Sequence, residues 1–160
     1  MSSDPRELAV EYFRRAYERQ MQGQYKEAIE LYTQSISVFP TAEAYTFRGW
    51  TYSFMGKLDE AIGECLRAIE VDPEFGNPYN DIGAYLIQQG KWEEAIPWLE
   101  KATRAPRYEA YSYPWFNLGR VHEHRRDWRR ARECYRKSFE VNRQYVPGLA
   151  AYRRVQAMWN

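Results

Sequence analysis

Trp92-Glu93-Glu94-Ala95-Ile96 is the stretch that decides the fold, because the chain repeats it. The same pattern stands at Tyr25-Lys26-Glu27-Ala28-Ile29, Leu58-Asp59-Glu60-Ala61-Ile62 and Trp128-Arg129-Arg130-Ala131-Arg132. Each copy has an aromatic or leucine, two polar residues, an alanine and usually an isoleucine. The alanines are 33, 34 and 36 residues apart. A period of that length is one supersecondary unit used repeatedly, so the spacing predicts a solenoid rather than a globule with a central core.

A second periodic segment precedes each motif. Gly49, Gly83 and Gly119 stand 12 residues before the alanines at 61, 95 and 131, and Ala16 holds that place before Ala28. Seven residues after these small positions come Gly23, Gly56, Gly90 and then Arg126. The pattern reads as a helical hairpin. A small residue in the first helix and an alanine in the second let the backbones approach closely, and the intervening glycine ends the first helix in the left-handed conformation. Pro40 and Pro73 mark the end of second helices. Asp4-Pro5-Arg6-Glu7 and Thr41-Ala42 have the chemistry of helix N-caps, and Pro78 and Pro114 suit a first turn.

With 44% hydrophobic and 17% aromatic residues, the chain has enough material to bury a core and still place rings on a surface. A net charge of +1 gives no general attraction to nucleic acid or anionic membrane. The charge is unevenly placed: residues 1–119 hold 12 basic and 18 acidic side chains, residues 120–154 hold 11 and 4. No uninterrupted apolar stretch approaches membrane-span length, and Met1 to Val10 lacks a signal-peptide pattern. Cys65 and Cys134 are 69 residues apart, which is neither a disulfide framework nor a zinc spacing. A reducing, cytoplasmic setting is the expectation.

These residues resemble the tetratricopeptide repeat, whose 34-residue pattern is Trp-x-x-Leu-Gly-x-x-Tyr, then Ala, Phe and Pro. Residues 42–75 carry Tyr45, Arg48, Gly49, Tyr52, Ala61, Ala68 and Pro73. Residues 76–109 carry Tyr79, Ile82, Gly83, Leu86, Ala95, Leu99 and Ala102, and residues 112–145 carry Trp115, Leu118, Gly119, Ala131 and Tyr135. The most degenerate copy, 9–41, keeps Tyr12, Ala16, Ala28, Tyr32 and Pro40. The resemblance implies a single all-α domain over 1–160, a right-handed superhelical solenoid of four helix-turn-helix hairpins. Residues 146–159 read as a C-terminal capping helix, with Pro147 in its first turn and Leu149, Tyr152, Val155 and Trp159 on one stripe.

Three departures stand out. Arg126 replaces glycine at the fourth turn, which is then either strained or differently shaped. Pro97 lies inside a second helix and is expected to bend it. Two extra residues enter near Pro106-Arg107-Tyr108-Glu109-Ala110-Tyr111.

No catalytic constellation, phosphate-cradling loop or dinucleotide fingerprint is present in the sequence. His122 and His124 point about 200° apart around a helix and do not share a metal. His122 takes a packing place and reads as a satisfied core histidine; Cys65 and Cys134 read as inert structural thiols. The expectation is therefore a non-enzymatic protein with no cofactor and no metal.

What remains is surface. The resemblance implies that the first helices of successive repeats line a concave groove where ligands bind. Carried over by position, the candidates are Phe13, Tyr17 and Met21, then Thr46, Trp50 and Phe54, then Asn77, Asn80, Ile87 and Gln88, and finally Tyr113, Phe116, Asn117, Arg120 and His124. Rings in a concave wall bury large area at low rotamer cost, and an asparagine amide matches both donors and acceptors of a peptide backbone. Two readings stay open at this point: an exposed strip that binds a partner, or rings packed between repeats. The carboxylate clamp that some members use for a partner's C-terminus is not built here, because its places hold Phe13, Tyr17, Phe47, Asn77 and Asp81.

The function expected is a monomeric scaffold or adaptor holding a peptide or helix of another protein. Two alternatives remain. The arginine-rich run from His124 to Arg132 suits RNA or an acidic partner, although Glu133 and Lys137 look like an ordinary helical ion pair and the arginines like a solvated face. The aromatic groove also suits self-assembly.

Overall fold

A computed structural model describes residues 4–159, with Trp159 described by its backbone alone. Among them are nine α-helices: α1 Pro5–Met21, α2 Tyr25–Val38, α3 Ala42–Phe54, α4 Leu58–Val71, α5 Asn77–Gln88, α6 Trp92–Arg104, α7 Ser112–His124, α8 Trp128–Val141 and α9 Val146–Trp159. Among the described residues no strand forms; one isolated parallel bridge joins Phe75 to Arg107.

Local chemistry sets the helix ends. The Asp4 side chain accepts a bond from the Arg6 backbone N–H at 2.9 Å, and Thr41 Oγ1 accepts from Ala44 at 3.1 Å. Each hairpin turns through a residue of positive φ: Gly23 at 76°, Gly56 at 76°, Gly90 at 78° and Arg126 at 60°. The fourth turn thus has the shape of the other three, and its arginine bears a left-handed strain of about 1–2 kcal/mol. α6 runs unbroken through Pro97, which is exposed.

The close approach within hairpins is made differently from the alanine contact that the spacing suggests. A Cβ at Gly83 would lie 2.4 Å from the Leu99 side chain, and one at Gly119 would lie 2.4 Å from the Tyr135 ring. The residue that fills the hairpin therefore stands sixteen places after the small one. Tyr32, Cys65, Leu99 and Tyr135 occupy that register, with exposures of 0%, 0%, 0% and 1%. Where this residue is the small Cys65, the backbones themselves close in: a Cβ at Gly49 would meet Ala61 O at 3.0 Å.

Each odd-numbered helix packs on the next odd-numbered one, α1 on α3, α3 on α5, α5 on α7 and α7 on α9. Among the described residues α2, α4, α6 and α8 make no such contact with one another. The stack is therefore curved, with the odd-numbered helices on its inner side. α9 closes the last hairpin, where Ala151 and Val155 bury against Ala131 and Tyr135, flanked by Phe116, Trp128 and Tyr152. Leu149 is half-buried, and the Trp159 side chain expected on the same stripe lies outside the described residues.

Candidate binding groove

On the inner side a hollow of about 390 Å³ is lined by Tyr17, Phe47, Trp50, Asn77, Asn80, Asp81, Tyr108, Ala110 and Tyr113. Its first wall is built on Phe47 of α3, whose ring packs 5.1 Å from Phe13, 6.0 Å from Tyr17 and 5.9 Å from Trp50. Trp50, packed between Phe47 and Phe54, is half-buried and lines the hollow. Opposite stand Tyr108, from the segment before α7, and Tyr113 at the start of α7, whose ring is 48% exposed.

The α6–α7 connection supplies that second wall because it is strapped down. Arg107 N–H donates to Glu74 O at 3.1 Å, and Gly76 N–H donates to Arg107 O at 3.0 Å. The Arg107 guanidinium lies 4.2 Å over the Phe75 ring and donates to Asp72 at 2.9 Å and Glu43 at 2.6 Å. Gly76 is required here, since a Cβ would fall 2.4 Å from the Tyr108 ring. The two extra residues of this copy thus form a built wall, not a loose loop.

The floor is polar and belongs to α5 and α7. Asn117 Nδ2 donates to Asn80 Oδ1 at 3.1 Å, and Arg120 donates to Asn117 Oδ1 at 3.2 Å. Beside Asn80 stands Asp81. Burial pushes its carboxyl up to about 7, against the opposing pull of a hydrogen bond with Asn80. Among the described residues Asp81 has no ion-pair partner, while Arg48, Arg107 and Arg154 all pair with other carboxylates.

The sequence candidates divide among several places. Tyr17, Trp50, Asn77, Asn80 and Tyr113 come together in the central hollow, with Asn117 buried beneath it. Phe116, Arg120 and His124 line a separate hollow with Trp92, Trp128 and Arg154, and His124 stacks on Trp92 at 4.2 Å. Phe13 is half-buried against Tyr32 and Phe47, and Phe54 stacks on Tyr25 at 5.6 Å at the open edge. Met21 and Gln88 are exposed. Ile87 is not on the groove surface: α5 is enclosed by its neighbours, and the side chain is 4% exposed within the core that includes Leu118 and Val121. Thr46 is likewise buried, its hydroxyl donating to Ala42 O at 2.7 Å.

Four lining residues lie outside the sequence candidates: Phe47, Asp81, Tyr108 and Ala110. Asp81 and Phe47 carry a signal as helix neighbours of Asn80 and Trp50, and in the sequence they stand only at places unfit for a clamp. Tyr108 and Ala110 carry none, because the strap that positions them is a tertiary contact.

Two further expectations change. His122 is half-buried and burial lowers its pKa, but its Nδ1 has no hydrogen-bond partner among the described residues, so the reading as a satisfied core histidine does not hold there. Glu133 pairs with Arg136 at 2.6 Å instead of Lys137, whose ammonium sits 4.4 Å over the Trp115 ring. Both cysteines are buried free thiols, and burial pushes Cys134 up to about 12. Among the described residues no three His, Cys, Asp or Glu side chains are placed to hold a metal ion. None of the described helices is long and apolar enough to cross a membrane.

The repeat geometry has counterparts. The tetratricopeptide repeat models match residues 14–38, 42–75 and 74–144, together most of the chain. The chain belongs to the tetratricopeptide repeat family. It is 33% identical over 78 residues to the small glutamine-rich tetratricopeptide repeat-containing protein 2 of Mycosarcoma maydis. That match spans 48% of this chain and 22% of the relative, so the chain corresponds to a small part of that protein's length. Among solved structures, Pseudomonas aeruginosa pilF superposes with a TM-score of 0.88 at 21% identity, over 96% of this chain and 70% of that one. YrrB, described as a TPR protein with an unusual peptide-binding site, superposes with a TM-score of 0.70 at 16% identity, over 91% of this chain and 74% of that one. At such identities the likeness concerns the solenoid fold.

Proposed function

We propose that this tetratricopeptide repeat protein is a non-enzymatic adaptor whose central hollow holds a peptide or helix of another protein. The observation that carries this reading is the 390 Å³ inner hollow walled by Tyr17, Trp50, Tyr108 and Tyr113 over an amide floor. Half-exposed rings held by their own packing lose little rotamer freedom when a guest covers them, which is how a few aromatics come to dominate an interface. Asn77 stands at the start of α5 with both an amide donor and acceptor for a guest backbone. The peptide-binding site described for YrrB is consistent with this use of the fold.

The test is selection of binders from a randomised synthetic peptide library, followed by titration against wild type and Trp50→Ala. Trp50→Ala is expected to weaken the selected peptides by about 2 kcal/mol or more while leaving helical content unchanged. Selected peptides that bind the variant as tightly as wild type would remove the central hollow from the site.

A further inference from the structure

Asp81 is the one charged residue among those lining the central hollow. The pocket is otherwise made of rings, amides and one alanine, and the carboxyl stands at its floor, half-buried and without a cationic partner among the described residues. The carboxylates that structure the rest of the molecule are treated differently. Glu64 has Arg48 and Arg67, Asp72 and Glu43 share Arg107, and Glu123 has Arg154. The polar partner of Asp81 is the neutral Asn80 amide, so among the described residues no cation answers the charge of this acid.

The walls suit a cation as well. Tyr17, Phe47 and Trp50 on one side and Tyr108 and Tyr113 on the other present ring surfaces around the same space. A ring face attracts a cation, and a guanidinium can stack on it while its fork of N–H donors meets a carboxylate and neighbouring amide oxygens. The adjoining hollow carries Glu109 and Glu43, with Arg107 paired to Glu43 and Asp72.

We propose that this hollow is a receptor for an arginine side chain of the guest peptide, with Asp81 as the counter-charge and the surrounding rings as the stacking walls. The inference rests on the adaptor reading and adds to it the chemistry that the guest must carry. Guanidinium is favoured over ammonium because it is more weakly hydrated and offers two parallel bonds to one carboxylate.

Among the described residues the groups facing Asp81 are Cys65 of α4, Tyr85 of its own helix, Tyr108 of the strap, and Tyr17 and Tyr113 of the same hollow; none of these is a cation. The carboxyl that burial holds up to about 7 is then driven to ionise by an arriving cation, so the same contact that binds arginine releases a proton.

The experiment pans a randomised synthetic peptide library on wild type and on Asp81→Asn, then measures the best peptides with arginine, lysine or citrulline at the selected position. Wild type is expected to enrich arginine at one position and to lose at least about tenfold in affinity on its replacement by neutral citrulline, which leaves the protein untouched. Lysine is expected to fall between the two. Asp81→Asn should lose the arginine preference and bind the arginine and citrulline peptides alike, while keeping the rest of the selected pattern and its helical content. Trp50-dependent peptides with no arginine preference, or an equal preference on Asp81→Asn, would overturn the arginine receptor and leave the adaptor reading standing. No selected peptide at all, or peptides indifferent to Trp50→Ala, would overturn both.

Discussion

The middle and the C-terminal end of this solenoid use the same inner-face positions in opposite ways. Around α3, α5 and the α6–α7 strap, two walls of rings stand apart and leave a hollow whose floor holds an acid with no ion-pair partner among the described residues. Around α7, α8 and α9, at the second hollow, the rings pack on one another and on the closing helix: Phe116 lies 5.4 Å from Tyr135 and 5.7 Å from Tyr145. There Glu123 accepts a bond from Tyr135 at 2.7 Å and is clamped by Arg154 of α9. The difference lies in what covers each stretch. At the end of the stack α9 supplies the missing neighbour and turns aromatic residues into core. In the middle the strap adds a wall but no lid. Aromatic content alone therefore does not mark a binding surface; the packing partner decides.

The sharpest way to break the comparison is to truncate one ring from each region. Tyr135→Ala should destabilise the fold by about 3–5 kcal/mol, the range for removing a fully enclosed aromatic, as read by chemical denaturation. Trp50→Ala, by contrast, should cost a guest peptide about 2 kcal/mol in affinity and cost the fold less than Tyr135→Ala does. Equal losses of stability in the two variants would show that the central rings are core as well.

Asp81 sharpens it further through pH. Burial pushes its carboxyl up to about 7, above the ordinary carboxylate value of 3.8. The native state therefore holds the proton more tightly than the unfolded chain, and the stability present below the unfolded value is lost as pH rises towards 7. Asp81→Asn has no such loss, so its advantage over wild type should grow from pH 4 to pH 7 and then level. A melting temperature at least about 3 °C above wild type at pH 8 is expected. A constant difference across that range would place the carboxyl in water.

The smallest effect concerns the fourth turn. Arg126→Gly should relieve left-handed strain and stabilise by about 1 kcal/mol, since the other three turns carry glycine at the same φ. The C-terminal end would then match the middle in turn chemistry without any change at the hollow.

The framework was legible in the sequence because it rests on local rules. The alanine motif, the turn glycines at 23, 56 and 90 and the caps at Asp4 and Thr41 each act within a few residues of themselves. Much of the candidate wall was legible too, through helix phasing: Tyr17, Trp50, Asn77, Asn80 and Tyr113 share one hollow. What escaped depends on contacts distant in sequence. Tyr108 reaches the hollow through the strap, which Arg107 holds to Glu74, Gly76 and Asp72 and to Glu43, 64 positions away. Ile87 left the groove because α5 is packed on both sides, and Lys137 left its helical partner for the Trp115 ring. Asp81 was visible but read only as unfit to hold an anion; its lack of a partner appears only in three dimensions.

Chemical-shift mapping of the labelled protein with one library-selected peptide tests the central claim most directly. The expected result is a set of perturbations at the Trp50 indole, the Asn77 and Asn80 side-chain amides and Tyr113, with the arginine-rich face of α8 unchanged. Perturbations confined to Arg129, Arg130 and their neighbours, with the Trp50 indole unmoved, would contradict it.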